Sequence, residues 1–383
     1  MKILYHHRVA SKDGQYVHIA EIIASLKKRG HEVIVCEPAS IEKTEFGEGS
    51  PFVDRIRAHL PGFIHELAEF LYCLPDYWKL RKLIKRHEPD CIYERYNLFF
   101  TSGVIASRLC KLPLLLEVNA PLFEERAKND TISLSGLARW SQDYVWNNAH
   151  FVLPVTEVLA QMVVDRGVAR NRIRVIPNGI NSEFSTALPP VELVDQKYQL
   201  SGKLVLGFTG FVRQWHRLDR VLTVIAQHPD SDWHLLLLGD GPDRARLEEI
   251  AQQLGISNKL TVTGIIERKE MPGLVQRFDI ALQPDVVAYA SPLKMFEYLA
   301  LGKPILAPDT PNIREILTDR DNALLFDPSG QNFSELLLEL CETPQLRDAL
   351  GASALGTIKS QQLYWDSNAD QIVQIFSQLL VKP

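Results

Sequence analysis

The chain has 383 residues, 46% apolar and 23% charged, with a formal net charge of −5. That length suits about two domains of ~150 residues, the composition is that of a soluble globular protein, and the acidic balance excludes a whole-molecule nucleic-acid footprint, so no nucleic-acid partner is expected. No run of eighteen apolar residues is present, which excludes a transmembrane helix, and five scattered cysteines without a C-x-x-C pair argue against a zinc site or a disulfide frame.

Strand-like and helix-like segments alternate along the chain. Lys2 to Tyr5 reads as a strand, Val17 to Arg29 as a helix stopped by Gly30, and Glu32 to Cys36 as a second strand. The opening MKILYHH has no signal-peptide character, so a cytoplasmic location is expected. Arg55 to Arg86 is rich in Leu, Ile, Phe and Tyr and ends in Lys79, Arg81, Lys82, Lys85 and Arg86. Such a segment is either a solvated flanking helix or a peripheral contact with an anionic membrane surface. Strands are predicted at Cys91–Tyr93, Pro113–Val118, Phe151–Val155 and Ile173–Ile176, and residues 181–203, with Pro189-Pro190, read as a linker.

The second half repeats the scheme, with strands at Leu204–Phe208, His234–Leu238, Leu260–Thr263, Ile280–Leu282 and Pro304–Ala307. Helices are predicted over Leu218–Ala226, Asp243–Leu254 and Pro292–Leu301, with a final amphipathic helix over 364–380. Continuous apolar strands separated by helices imply parallel sheets covered on both faces. The fold class is therefore α/β, with two doubly wound domains at 1–185 and 200–363. The C-terminal helix of 364–383 could pack back on the first domain. Two such domains would offer a cleft at their strand ends.

The segment Ser291 to Ile305 carries the clearest chemistry. Lys294 and Glu297 lie three residues apart at the start of a predicted helix, and so share one face. The helix amides near Pro292 and Leu293 favour an anion. A cation with free amides suits a diphosphate, and a carboxylate one turn on suits paired sugar hydroxyls. On spacing alone such a pair is more often a solvated helix face, and it is the flanking Pro292 and the apolar run Met295, Phe296, Leu299 and Ala300 that favour a site. Earlier in the same half, a strand runs into Gly207 and Gly210 and then a loop with Arg213, His216 and Arg217. The glycines allow close backbone approach and the cations suit phosphate oxygens. Gly264 and Ile265 end a further strand, where backbone groups could meet a nucleobase edge.

In the first half, Ser11 to Gln15 joins strand to helix, with Gly14 at the helix N-terminus, where amides could approach an anion or sugar. Tyr93 to Asn97 and Glu117 to Pro121 follow strands and are candidates for substrate contacts. No G-x-G-x-x-G or Walker A pattern is present, against a dinucleotide oxidoreductase or P-loop NTPase. Neither H-E-x-x-H nor G-x-S-x-G occurs.

Lys28-Arg-Gly-His-Glu-Val33, Val175-Ile-Pro-Asn-Gly179, Leu238-Gly-Asp-Gly-Pro242 and Ser291 to Pro304, in this order, resemble the GT-B glycosyltransferases, specifically the retaining group called family 4. The resemblance spans nearly the whole chain. It implies two Rossmann-like domains facing across a cleft and a nucleoside-diphosphate sugar as donor substrate, with no further cofactor and no metal. Glu297 would bind ribose hydroxyls. Lys294, Arg213, His216 and the amides near Pro292 and Leu293 would face the diphosphate, with His216 where the family more often has lysine. Gly14 maps to the first domain's glycine loop, and Glu117 and Asn119 to its catalytic region. The family's second glutamate, eight positions before Glu297, is replaced here by Tyr289.

The implied reaction transfers a hexose to the hydroxyl of a glycan, glycolipid or small-molecule acceptor, with retention. A sugar-nucleotide epimerase on the same scaffold and a catalytically inactive scaffold subunit are the competing readings.

Overall fold

The computed structural model describes residues 1–9, 14–38, 61–129, 131–186 and 188–381. Residues 11–13 of the expected glycine loop, and 55–60 of the basic segment, lie outside these. The chain divides into two compact units. Unit 1 comprises Met1–Pro177, Tyr289–Ser291 and Trp365–Pro383, and unit 2 comprises Asn178–Ala288 and Pro292–Tyr364.

Unit 1 is built on β1 (Lys2–His6), β2 (Glu32–Cys36), β3 (Cys91–Arg95), β4 (Leu114–Val118) and β5 (Phe151–Pro154). All pair in parallel, in the order β2-β1-β3-β4-β5. Its helices are α1 (Gly14–Lys28), α2 (Gly62–Leu71), α3 (Cys73–His87), α4 (Ser102–Cys110), α5 (Leu122–Lys128), α6 (Ser135–Asn148) and α7 (Glu157–Asp165). The order reverses between β1 and β3, and open α/β sheets bind ligands beyond the carboxyl strand ends at such a point.

Unit 2 contains α8 (Val191–Tyr198), β6 (Leu204–Thr209), α9 (Asp219–Gln227), β7 (Trp233–Leu238), α10 (Arg244–Gln253), β8 (Leu260–Val262), α11 (Met271–Gln276) and β9 (Ile280–Leu282). After these come α12 (Leu293–Ala300), β10 (Ile305–Pro308), α13 (Pro311–Arg314), β11 (Leu324–Phe326), α14 (Phe333–Glu342) and α15 (Pro344–Ser360). Its parallel sheet runs β11-β10-β9-β6-β7-β8, with the switch point between β6 and β9. Alternate residues of β7 enter different cores: Leu236 and Leu238 one, Leu235 and Leu237 the other. A period of two with both faces buried is why these strands read as unbroken apolar runs.

The last helix, α16 (Trp365–Leu380), groups with unit 1. Arg29 grips Asp370 through Nε at 2.7 Å and Nη2 at 2.6 Å, Lys28 meets Asp366 at 3.0 Å, and Asn368 donates to the Pro177 carbonyl at 2.7 Å.

Three expectations differ from the structure. Ile173–Ile176 is not a strand: only an isolated bridge joins Ile173 to Val152, after a 3-10 turn at Arg170–Arg172. The segment read as a linker contains α8, held in unit 2 by buried Val194 and by an ion pair between Arg277 and Asp195. Strand β11, the three residues Leu324–Phe326, was not anticipated. Among the described residues no helix is long and apolar enough to cross a membrane.

Candidate active site

In unit 2 the anticipated residues gather around the switch point. β6 ends in Thr209 and runs into Gly210, whose φ of +128° favours glycine. A Cβ on neighbouring Gly239 would lie 2.2 Å from the Gly210 carbonyl oxygen, so two backbones pack where side chains are excluded. Gly207 has a different duty: a Cβ there would collide with the Phe278 ring at 2.0 Å, so this glycine serves packing.

On the other side of the switch point, α12 begins with Leu293 just after Pro292. The buried hydroxyl of Tyr298 accepts from the Thr209 amide at 2.9 Å and donates to the Leu282 carbonyl at 3.4 Å. One side chain therefore ties the ends of β6 and β9 to α12. Tyr298 was not singled out from sequence, since an apolar helix face predicts burial and says nothing of a hydroxyl's partners.

Lys294, from α12, is half-buried, with its Nζ 4.0 Å from the centroid of the Phe208 ring and 3.5 Å from His216 Nε2. Burial pushes the Lys294 ammonium down to about 7, although Glu297 acts the other way. His216 is buried, and its Nδ1 accepts from the Arg213 amide at 3.2 Å. Burial, then the charges of Lys294 and Arg213, holds its imidazole far below the ordinary histidine range. A neutral ring that accepts at Nδ1 carries its hydrogen on Nε2. Lys294 and His216 therefore both present donors at the β6 end, an arrangement that an anion would complete. Arg213 itself is exposed, its guanidinium 5.0 Å over the Phe211 ring.

Glu297 is 5% exposed and paired with Arg268, a partner that sequence spacing could not foresee. Gly264, at φ +74° and bridged to Gly239, and Ile265, exposed at 61%, follow β8. Asp285, the nearest carboxylate upstream, accepts from the Val286 amide through its own side chain.

In unit 1, Gly14 opens α1. Glu117, at the end of β4, is 2% exposed and surrounded by donors: Arg95, Asn119, the Tyr93 hydroxyl at 2.8 Å, the Tyr5 hydroxyl at 3.5 Å and His18 Nε2 at 3.3 Å. Burial would raise its carboxyl, but His18, Arg95 and Tyr93 outweigh that and hold it far below the carboxylate range. A group so held is a poor proton acceptor at neutral pH. Its partners also suit Glu117 to a hub that fixes its neighbours. Asn119 is oriented by this hub through its Nδ2.

A second buried cluster was missed from sequence. His6 lies between Asp76, 3.0 Å from Nε2, and Glu94, 2.6 Å from Nδ1. Burial alone would lower the His6 imidazole, but the two carboxylates raise it to about 9. Of the described residues, His6, Cys36 and Asp76 have ligand atoms within 4.8 Å of one another, a spacing that a metal ion could use. The two carboxylates already neutralise the His6 charge. Tyr289 groups with unit 1: its hydroxyl donates to Glu125 and its carbonyl accepts from Thr156 Oγ1 at 2.9 Å.

Residues 12–184 match the family model described as Glycosyltransferase Family 4, and residues 192–356 the one described as Glycosyl transferases group 1. The chain is similar to a 2-deoxystreptamine glucosyltransferase of Streptomyces kanamyceticus, 25% identical over 197 residues, covering 48% of this chain and half (50%) of the length of that relative. It is also similar to the lipopolysaccharide core biosynthesis glycosyltransferase LpsD of Rhizobium meliloti, at 22% identity over 94% of each chain. Among solved structures, Anabaena HepE in complex with UDP has the same fold, with a TM-score of 0.76 and 19% identity over 99% of this chain and 100% of that one.

Proposed function

Since this chain belongs to the GT-B glycosyltransferases of family 4, we propose that it moves a hexose from a nucleoside-diphosphate sugar to an acceptor hydroxyl, with retention of configuration and without a metal ion. The observation that carries this reading is the pair of donors, Lys294 and His216, 3.5 Å apart at the switch point of unit 2.

In this mechanism the bond between the anomeric carbon and the diphosphate oxygen breaks, and its electron pair leaves with the phosphate. Lys294, Arg213, His216 Nε2–H and the first amides of α12 stabilise that charge, which develops towards the transition state. The acceptor oxygen attacks the same face of the sugar, and its proton passes to the departing phosphate oxygen. Glu297 would take the ribose hydroxyls, exchanging its bond to Arg268 for them. The residues after Gly264 would meet the base. Unit 1 is assigned the acceptor, a glycan, glycolipid or small molecule. The kinship with a LpsD and a 2-deoxystreptamine glucosyltransferase supports a sugar-modifying role and leaves the acceptor class to experiment.

The test is calorimetry and thermal shift against UDP, GDP and ADP sugars, followed by turnover of the bound donor with a panel of acceptors in EDTA. A ligand that binds the folded state raises the melting temperature. One stabilising donor and acceptor-dependent release of its nucleoside diphosphate are expected. Donor isomerisation without acceptor, or strict metal dependence, would overturn the reading.

A further inference from the structure

Helix α2 is inverted. Its polar residues face inward: the Glu66 carboxylate is 3% exposed and accepts the amides of Ser133 at 2.7 Å and Leu134 at 2.5 Å. One turn on, Glu69 pairs with Arg126 at 2.9 Å. The apolar residues point outward. Phe63, Ile64, Leu67 and Leu71 of α2 are exposed, and the stripe continues through Leu74 and Trp78 of α3, exposed at 56% and 61%. An amphipathic helix on a protein ordinarily buries its apolar face, and an exposed apolar patch marks an interaction site.

Two neighbours narrow the occupant. Aromatic side chains rim the stripe: Tyr72 is 40% exposed, and Trp140 of α6, 49% exposed, stands edge-on to Phe70 at 6.0 Å. Beyond Trp78, α3 exposes Lys79, Lys82, Lys85 and Arg86, and the Arg81 guanidinium lies 5.4 Å over the Trp78 ring. Half-exposed Trp and Tyr rings suit the headgroup level of a bilayer. A basic row beside an apolar face complements anionic headgroups.

We propose that α2 and the first turns of α3 form a docking surface for an anionic lipid bilayer. The apolar stripe enters the headgroup boundary, and Lys82, Lys85 and Arg86 pair with lipid phosphates. The stripe supplies area and the basic row selects charge, so binding needs both. This inference is independent of the identity of donor and acceptor.

The experiment is co-sedimentation of the full chain with vesicles of phosphatidylcholine alone or mixed with phosphatidylglycerol. Binding to the mixed vesicles and not to the neutral ones is expected. Because each basic residue near the surface contributes about fivefold in partitioning, Lys82→Gln with Lys85→Gln should lower binding about thirtyfold. Leu67→Glu with Leu71→Glu should abolish it with an unchanged melting curve, since both side chains are already exposed. Equal binding to both vesicle types, binding to neither, or binding that survives the leucine substitutions overturns the proposal. A concentration-dependent dimer that the leucine substitutions dissociate, without vesicle binding, overturns it in favour of a second copy as the occupant.

Discussion

Lys294 Nζ and His216 Nε2 approach to 3.5 Å, and both are donors. Burial has pushed Lys294 down to about 7, while His216 stays neutral because its ring is buried beside two cations. A diphosphate on this pair would pull a proton onto Lys294. The sign follows from linkage: below about pH 7 the ammonium is already formed and affinity is flat, and above it each pH unit costs up to about tenfold. We expect calorimetric UDP or GDP affinity to fall between about pH 7 and 9. Lys294→Met should bind weakly with a flat profile over that range. A wild-type profile that is also flat removes the pair from the phosphate site.

Glu297 is paired with Arg268 in the structure, and the proposed ribose would compete for the same carboxylate. Glu297→Ala should weaken nucleotide binding about tenfold, the loss of a hydrogen bond to a charged group. Arg268→Ala should tighten it a few-fold by releasing the carboxylate. Equal affinities across the three proteins, measured by calorimetry, would show that Glu297 has no part in binding.

Glu117 gathers Arg95, His18, Tyr93 and Asn119, so its loss should be felt as stability. Its folded carboxyl is depressed, so its contribution is present above the unfolded value and is lost as pH falls towards the folded one. Glu117→Gln should cost about 3–5 kcal/mol at neutral pH, as for a broken buried ion pair. Thermal and denaturant melts check this. Unchanged stability with lost turnover would point to a direct catalytic part instead.

The Tyr298 hydroxyl holds the Thr209 amide at the switch point. Tyr298→Phe keeps the ring and orphans that amide, which should cost about 1–3 kcal/mol. Donor affinity should fall with it, because α12 loses its tie to β6. A melt equal to wild type with full affinity would show the tie to be dispensable.

Much of unit 2 is legible in sequence because its determinants are local. β6 and β7 are long apolar runs, and Pro292 with Gly302 brackets α12. The helical spacing of Lys294 and Glu297 places them on one face before any fold is known. Arg268, His18 and the Asp76–His6–Glu94 triad were invisible for the opposite reason. His6 lies 70 and 88 positions from its partners, and no spacing rule connects them. The linker expected at 181–203 failed because α8 is held by Arg277, 82 residues away, rather than by its own periodicity.

The sequence by itself determined the alternation of strand and helix, the two α/β units and the short motifs at their strand ends, since backbone propensity and apolar periodicity act over a few residues. Only the tertiary structure decided which charges keep their charge. Lys294 is an ordinary lysine in the chain, and it becomes a titrating group near neutrality only when α12 buries it against Phe208 and His216. Glu117 is an ordinary glutamate until five donors from β1, α1, β3 and the end of β4 surround it. Desolvation and Coulomb interaction depend on distance in space, which residue order does not contain.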